Sequence, residues 1–198
     1  MNLQNSTTQK NLMRALVGES LARNRYTFAA GQADRDGLPV IAAVFRYTTD
    51  QGKEHAEIFA DFLRRGGVDS IPVEGAFPVD TAADTLSLLA AAAQNERKEH
   101  GEIYPAFAAA ARNEGFSEIA RKLELIAEIE KCHAGRFEAF HRLLSQHKLF
   151  VSDAACGWIC MNCGHELNGT EAPQQCPVCG EAGYFIRLEM SPYSYANG

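Results

Sequence analysis

The chain has 198 residues, 46% of them hydrophobic and 22% charged, with a formal net charge of −6. That is apolar material for one full-sized domain and a small appendage, and it excludes a disordered or membrane-like composition. The acidic balance without a basic cluster argues against nucleic acid as a partner, and no apolar run approaches the ~18 residues of a membrane span. The first residues carry no basic segment followed by an apolar one, so a cytoplasmic location is expected.

Thr7 or Thr8 is expected to cap a first helix that reaches about residue 35, with Leu12, Leu16, Glu19, Arg23, Tyr26 and Ala30 at helical spacing. A second helix over roughly 38–65 carries Ile41, Phe45, Thr48, His55, Phe59 and Phe62 along one side. Arg64 and Arg65 in its last turn and the glycines beyond suit its end. The glycine- and proline-containing stretch 66–80 is too long for a tight hairpin and predicts a crossover between two helical pairs. Asp80 or Thr81 opens a third helix over about 82–113, with Asp84 available for a capping box and Pro105 expected to kink it or disturb its hydrogen bonding. A fourth helix is expected over about 116–146. Residues 147–155 read as a link, 156–191 as a small metal-binding domain with short strands at 157–159 and 184–188, and 192–198 as a flexible tail.

A shift of 78 residues lays Tyr26 on Tyr104, Gly37 on Gly115, Ile41 on Ile119, His55 on His133, Phe59 on Phe137 and Phe62 on Phe140. Two copies of one helical hairpin joined by a crossover give a four-helix bundle with pseudo-twofold symmetry. Acids and histidines interrupt its apolar stripes: Glu19 on the first helix, His55 on the second, Glu96 and Glu99 on the third, Glu130 and His133 on the fourth. A spacing of i, i+3 puts both side chains on one helix face. One glutamate from each of two helices and Glu-x-x-His from each of the other two is a set that holds two iron or manganese ions in a bundle core. Carboxylates can bridge two cations and imidazole is a neutral terminal ligand. Glu19 beside Arg23, and Glu96 with Glu99, would each alone suit a solvated surface. Together, at one level of the bundle, they suit a metal pair that offsets the cost of burying charge. The second helix breaks the pattern, because Gly52 stands three residues before His55 where the repeat lays it on Glu130. Glu54 and Asp50 point elsewhere around the helix.

Near the C-terminus two CxxC pairs, Cys160 with Cys163 and Cys176 with Cys179, are each followed by glycine. Four thiolates suit tetrahedral zinc or iron, and the glycines let the chain turn back and aim amide N–H groups at sulfur. A core this small needs its metal to fold. Cys132 and Cys156 are expected to be free thiols outside the site.

The stretches Glu19-Ser-Leu-Ala-Arg-Asn-Arg-Tyr26, Lys53-Glu-His-Ala56, Glu96-x-x-Glu99 with Tyr104-Pro105, Glu130-x-x-His133 and the four-cysteine tail resemble the rubrerythrin family over nearly the whole chain. The resemblance implies a mainly α fold: a ferritin-like four-helix di-iron bundle over 1–146 with a rubredoxin-like four-cysteine iron domain over 156–191. It implies a peroxidase that reduces hydrogen peroxide to water in the cytoplasm, fed with NAD(P)H electrons through a reductase or rubredoxin-like carrier, and a head-to-tail homodimer. Carried over by position, Glu19 and Glu99 are terminal ligands of one iron, with His55 replacing Glu99 on reduction. Glu96 and His133 are terminal on the other, Glu130 bridges, and Tyr26 and Tyr104 orient carboxylates. Cys160, Cys163, Cys176 and Cys179 hold the electron-transfer iron, with zinc as the replacement. The second bridge falls on Gly52. Two alternatives stand beside this: a ferroxidase or iron-handling protein, and a metal-depleted bundle whose zinc ribbon is a non-enzymatic binding module.

Overall fold

Five helical segments, α1 (Thr7–Arg35), α2 (Pro39–Arg65), α3 (Thr85–Lys98), α4 (Tyr104–Asn113) and α5 (Ser117–Ser145), open the computed structural model, which describes residues 2–191. The expected flexible tail, 192–198, lies outside them. A π-helical turn, Glu99–Ile103, joins α3 to α4 into one rod, so the segments form a four-helix bundle with a long crossover between α2 and α3. Among the described residues no helix is long and apolar enough to cross a membrane.

The first helix is capped one residue earlier than expected. Ser6 Oγ accepts the Gln9 amide at 3.0 Å, while the amides of Thr7 and Thr8 both donate to Glu114 at 2.8 Å. Thr8 Oγ1 adds a bond of 2.6 Å to the same carboxylate. These are orphan N–H groups of a helix start, met by an anion at the positive end of the dipole. The repeat reproduces the clasp: Asp36 accepts the Thr85 amide at 3.0 Å and its hydroxyl at 2.6 Å. Each hairpin's turn thus holds the start of the other hairpin. The Thr8 hydroxyl and the amides of Thr8 and Thr7 hold the Glu114 carboxyl down at about 2, from an ordinary 4.5. Stability from a carboxylate depressed in the fold is present above its unfolded value and lost as pH falls through the folded one. Glu114→Gln is therefore expected to lower the melting temperature above pH 4.5. The gap to wild type should close as pH falls toward 2, measured by calorimetry of both proteins across that window.

The third helix begins at Thr85, later than the sequence suggested, with Asp84 Oδ1 accepting the Ser87 amide at 2.8 Å. Asp80 is occupied elsewhere, at 3.2 Å from Arg25 Nε and 3.3 Å from Asn95 Nδ2. The crossover is thereby tied to α1 and α3 before the helix can start.

Two apolar layers divide the bundle interior. One gathers Tyr26, Phe45, Phe137 and Phe140, the other Leu12, Phe59, Tyr104 and Leu123. Between them lies the polar level. In the tail, β1 (Val151–Cys160), β2 (Glu166–Glu171) and β3 (Phe185–Arg187) form an antiparallel sheet in the order β2-β1-β3, with Trp158 opposite Leu167 and Arg187. The strand β1 starts inside the stretch expected as a link, and the sheet folds back on its own bundle. Leu149 and Ile186 join the first apolar layer, and the Val40 amide donates to Gly183 O at 3.3 Å. Gly183 sits at φ +74° where a Cβ would lie 2.9 Å from Pro39 Cδ, so only glycine lets the tail seat this closely. The tail has an acidic surface: Asp153, Glu166, Glu171, Glu181 and Glu189 are all exposed, with Asp153 paired to Lys148 at 2.6 Å.

Candidate metal centres

At the polar level, helical periodicity turns Glu19, His55, Glu96, Glu130 and His133 inward, and all five are buried. Their ligand atoms form two groups, Glu19 with His55 and Glu130, and Glu96 with Glu130 and His133, each within 4.8 Å. Glu130, only 1% exposed, belongs to both. Its Oε1 lies 2.8 Å from His55 Nδ1 and its Oε2 2.6 Å from His133 Nδ1, so it turns one oxygen to each group. The two imidazoles stack at 5.8 Å across the same pseudo-twofold axis.

His55 Nδ1, Glu96 Oε2 and Glu130 Oε1 have no hydrogen bond of acceptable geometry, although His55 and Glu130 approach closely. Buried lone pairs facing one another off hydrogen-bonding angles fit cations between them, since unpaired buried charge is otherwise costly. Burial pushes the Glu96 carboxyl up to about 7, with the Glu130 charge adding to it against His133. Burial alone would lower the His55 imidazole, but Glu130 and Glu19 outweigh it and hold it at about 10; Glu130 and Glu96 likewise hold His133 at about 9. Burial would raise Glu130, yet the two histidines bring it to about 2.

Tyrosine hydroxyls fix the outer carboxylates. Tyr26 donates to Glu96 Oε1 and Tyr104 to Glu19 Oε1, each at 2.5 Å. Gln51 and Arg136 belong to the site without having been read from sequence, and Thr48, expected only on the same helix side as His55, joins them. Arg136 Nη1 donates to Thr48 Oγ1 at 2.9 Å and Gln51 Oε1 at 3.0 Å. Because arginine only donates, the Gln51 atom facing it is oxygen. His133 Nε2, 3.1 Å from that oxygen, must then carry hydrogen, so Nδ1 is the nitrogen that a metal would take once it displaces the proton shared with Glu130. The available signal was spacing: Gln51 precedes His55 by four and Arg136 follows His133 by three.

Glu99 stands apart from the two groups, half-buried on the π turn. Glu19 and Tyr26 are seven residues apart but Glu96 and Tyr104 are eight, and the π turn absorbs the extra residue. Pro105 comes two residues after the turn, in the first turn of α4, and the disturbance expected around it takes this form. Burial, then the charges of Glu96, Glu19 and Glu130, push the Glu99 carboxyl well above the usual range. Glu99 also lines a cavity of about 290 Å³ with Arg14, Arg25, Phe77, Pro78 and Phe107, between α1, the crossover and α4.

Gly52 faces the centre. A Cβ there would meet a single atom within 4 Å, Glu19 Oε2 at 3.0 Å. Asp50 and Glu54 are exposed, as their helical directions require. Cys132 is exposed and Cys156 is outside the thiol group.

In the tail, Cys160, Cys163, Cys176 and Cys179 converge, with Sγ separations of 3.8 Å for Cys160 and Cys179 and 3.6 Å for Cys163 and Cys176. A tetrahedron with metal–sulfur bonds of ~2.3 Å has edges of ~3.8 Å. Gly164 at φ +78° and Gly180 at φ +77° make the two knuckle turns. The amides of Asn162 and Cys163 point at Cys160, that of His165 at Cys163 and that of Glu181 at Cys179. The Asn162 side chain and the Glu181 amide draw the Cys179 thiol down to about 6, while Cys163, against the His165 amide, is pushed up to about 12 by burial and the neighbouring thiols, so metal binding must displace protons from the set. Trp158, the chain's single tryptophan, is buried in this small core. Stripping the tail metal with a chelator is expected to red-shift its fluorescence while far-ultraviolet helicity persists. Both are read in one titration.

The family model described as Rubrerythrin matches residues 10–141, and that for the rubrerythrin rubredoxin-like domain matches 158–185. The chain belongs to the rubrerythrin family. It is 43% identical to rubrerythrin of Nitratidesulfovibrio vulgaris over 90% of this chain and 92% of the relative. Rubrerythrin-1 of Clostridium acetobutylicum is 38% identical with the same shares covered. A solved structure of nigerythrin in its fully reduced, all-ferrous state superposes with a TM-score of 0.62 at 25% identity, over 94% of this chain and 93% of that one. The donor sets agree with a rubrerythrin's iron: a rubredoxin-like site of four cysteines, and a carboxylate–histidine di-iron centre in a ferritin-like bundle.

Proposed function

We propose that this chain is a two-centre peroxidase that reduces hydrogen peroxide to water, with electrons from NAD(P)H passed through a reductase or rubredoxin-like carrier to the four-cysteine iron and on to the bundle. The observation that carries it is the pair of donor groups sharing Glu130 beside the cavity at Glu99. Glu19, Glu99 and His55 would serve one iron, Glu96 and His133 the other, with Glu130 between them. The di-iron pair, when bound, supplies Lewis acidity and the two electrons that O–O cleavage requires. The chain's own residues do the rest. The cavity admits a small polar substrate past Arg14 and Arg25. The Tyr26 and Tyr104 hydroxyls hold protons at Glu96 Oε1 and Glu19 Oε1. Glu99, whose carboxyl is raised by burial and the neighbouring carboxylates while no cation is present, would release its proton on taking up a metal. The two apolar layers exclude bulk water on either side.

The tail acts as a relay. Its ligands are fixed by amide hydrogen bonds, so little moves as charge changes. Its exposed acids suit a basic patch on an electron donor. A head-to-tail homodimer in the cytoplasm, with 1–146 as bundle and 156–191 as relay domain, completes the proposal. The test is anaerobic: protein reduced by NADH through a surrogate reductase is titrated with hydrogen peroxide. One NADH consumed per peroxide, abolished when the bundle metal is removed, is the expected result. Peroxide consumption that survives removal overturns it. Gly52 favours a second reading, a bundle that holds fewer than two ions, and metal analysis of the same sample separates the two.

A further inference from the structure

We propose that the space facing Gly52 binds a small monocarboxylate, of acetate or propionate size, which stands in for the side chain missing there. This rests on reading Gly52 as the vacant counterpart of Glu130. Both residues stand three before a buried histidine, and those two imidazoles stack at 5.8 Å. Glu130 has an oxygen toward each donor group, but no second residue among those described does. A Cβ built on Gly52 lies 3.0 Å from Glu19 Oε2, tighter than ordinary contact, and meets no other atom within 4 Å, so the acid enters only as that mobile carboxylate end turns aside by a few tenths of an ångström. The atoms around the centre include three buried ones without a hydrogen bond, His55 Nδ1, Glu96 Oε2 and Glu130 Oε1, on residues at most 5% exposed. Gly52 itself is partly exposed.

The chemistry selects the ligand class. The group absent relative to glutamate is a two-carbon chain ending in carboxylate, that is, propionate. A carboxylate offers two oxygens and so can span two cations, which an amide of the same shape does poorly. Once metal has deprotonated Glu19, Glu96, Glu99, Glu130 and the two histidines, only the cations attract an added anion, so acid and metal must bind with positive, reciprocal coupling. The four-cysteine site, remote in sequence and already complete with four sulfurs, has no use for the acid.

The experiment uses the full chain loaded with cobalt(II), whose absorption reports oxygen-donor coordination separately from thiolate. Propionate and acetate are titrated against propionamide and acetamide, and bundle metal per chain is counted after desalting at limiting cobalt. Expected is a saturable spectral change with either acid and a rise in metal affinity of about tenfold, the lower end of what losing even a supporting partner costs a metal site. Neither amide should act. Gly52→Glu should hold the second ion without acid and ignore it, and Gly52→Val, which fills the gap with apolar atoms, should also ignore it. If Gly52→Glu gains metal while wild type ignores both acids, the carboxylate site is overturned and the vacant-counterpart reading stands. If neither the variant nor the acids change metal content, both fall. An equal response of wild type and Gly52→Val places acid binding elsewhere and overturns the proposal even should Gly52→Glu fail to fold.

Discussion

Glu130→Gln is expected to lose both bundle ions while keeping the tail iron, with peroxide turnover down by about 100-fold or more. Among the described residues no other belongs to both donor groups, and glutamine keeps the volume while removing the charge. Metal analysis and the anaerobic peroxide assay check this directly. The metal-free protein gives an independent readout, because Glu130 also pairs with His55 at 2.8 Å and His133 at 2.6 Å. Breaking one partner of a buried pair costs about 1–3 kcal/mol, or several degrees in melting temperature for a domain of this size. The sign follows from linkage. Glu130, held at about 2, contributes stability above 4.5 that is lost as pH falls through 2. The histidines, held at about 10 and about 9, contribute stability below 6.5 that is lost as pH rises through those values. The melting-temperature difference between variant and wild type should therefore be widest between pH 4.5 and 6.5 and shrink on both sides.

Gly52→Glu is expected to raise bundle metal toward two ions and increase peroxide turnover, by about tenfold if a bridging carboxylate matters as much as an outer partner does. The new Cβ would sit 3.0 Å from Glu19 Oε2, the mobile end of a side chain, so a shift of a few tenths of an ångström admits it. Removing a mid-helix glycine contributes ~1 kcal/mol of helix propensity, but a further carboxylate beside Glu19, Glu130 and Glu96 costs more than that without cations. The variant should thus melt lower than wild type when metal-free and higher when loaded. That inversion, measured by calorimetry with and without metal, distinguishes a ligand position from a packing position. Unchanged metal content and rate would remove Gly52 from the centre.

The bundle, its crossover and the four-cysteine knuckles were legible because each rests on local periodicity or spacing. The 78-residue repeat was legible for the same reason, and it anticipated the paired imidazoles of His55 and His133. What escaped was contact between segments. Ser6 caps α1 because the carboxylate of Glu114, over a hundred residues away, takes the amides of Thr7 and Thr8. The third helix starts late because Asp80 is held by Arg25 and Asn95.

The same division runs through the site. Residue type and spacing along each helix named Glu19, His55, Glu96, Glu130, His133 and the four cysteines, since a helix face is a property of its own residues. The family resemblance also placed Glu130 between the two ions, and the two donor groups share it; only the tertiary structure decided that Arg136 through Gln51 sets the proton on His133. It alone put Glu99 on a π turn at the cavity and seated the tail on the end of its own bundle, with Gly183 against Pro39. Those outcomes depend on distances between helices far apart in the chain, and the pattern along any one helix carries no record of them.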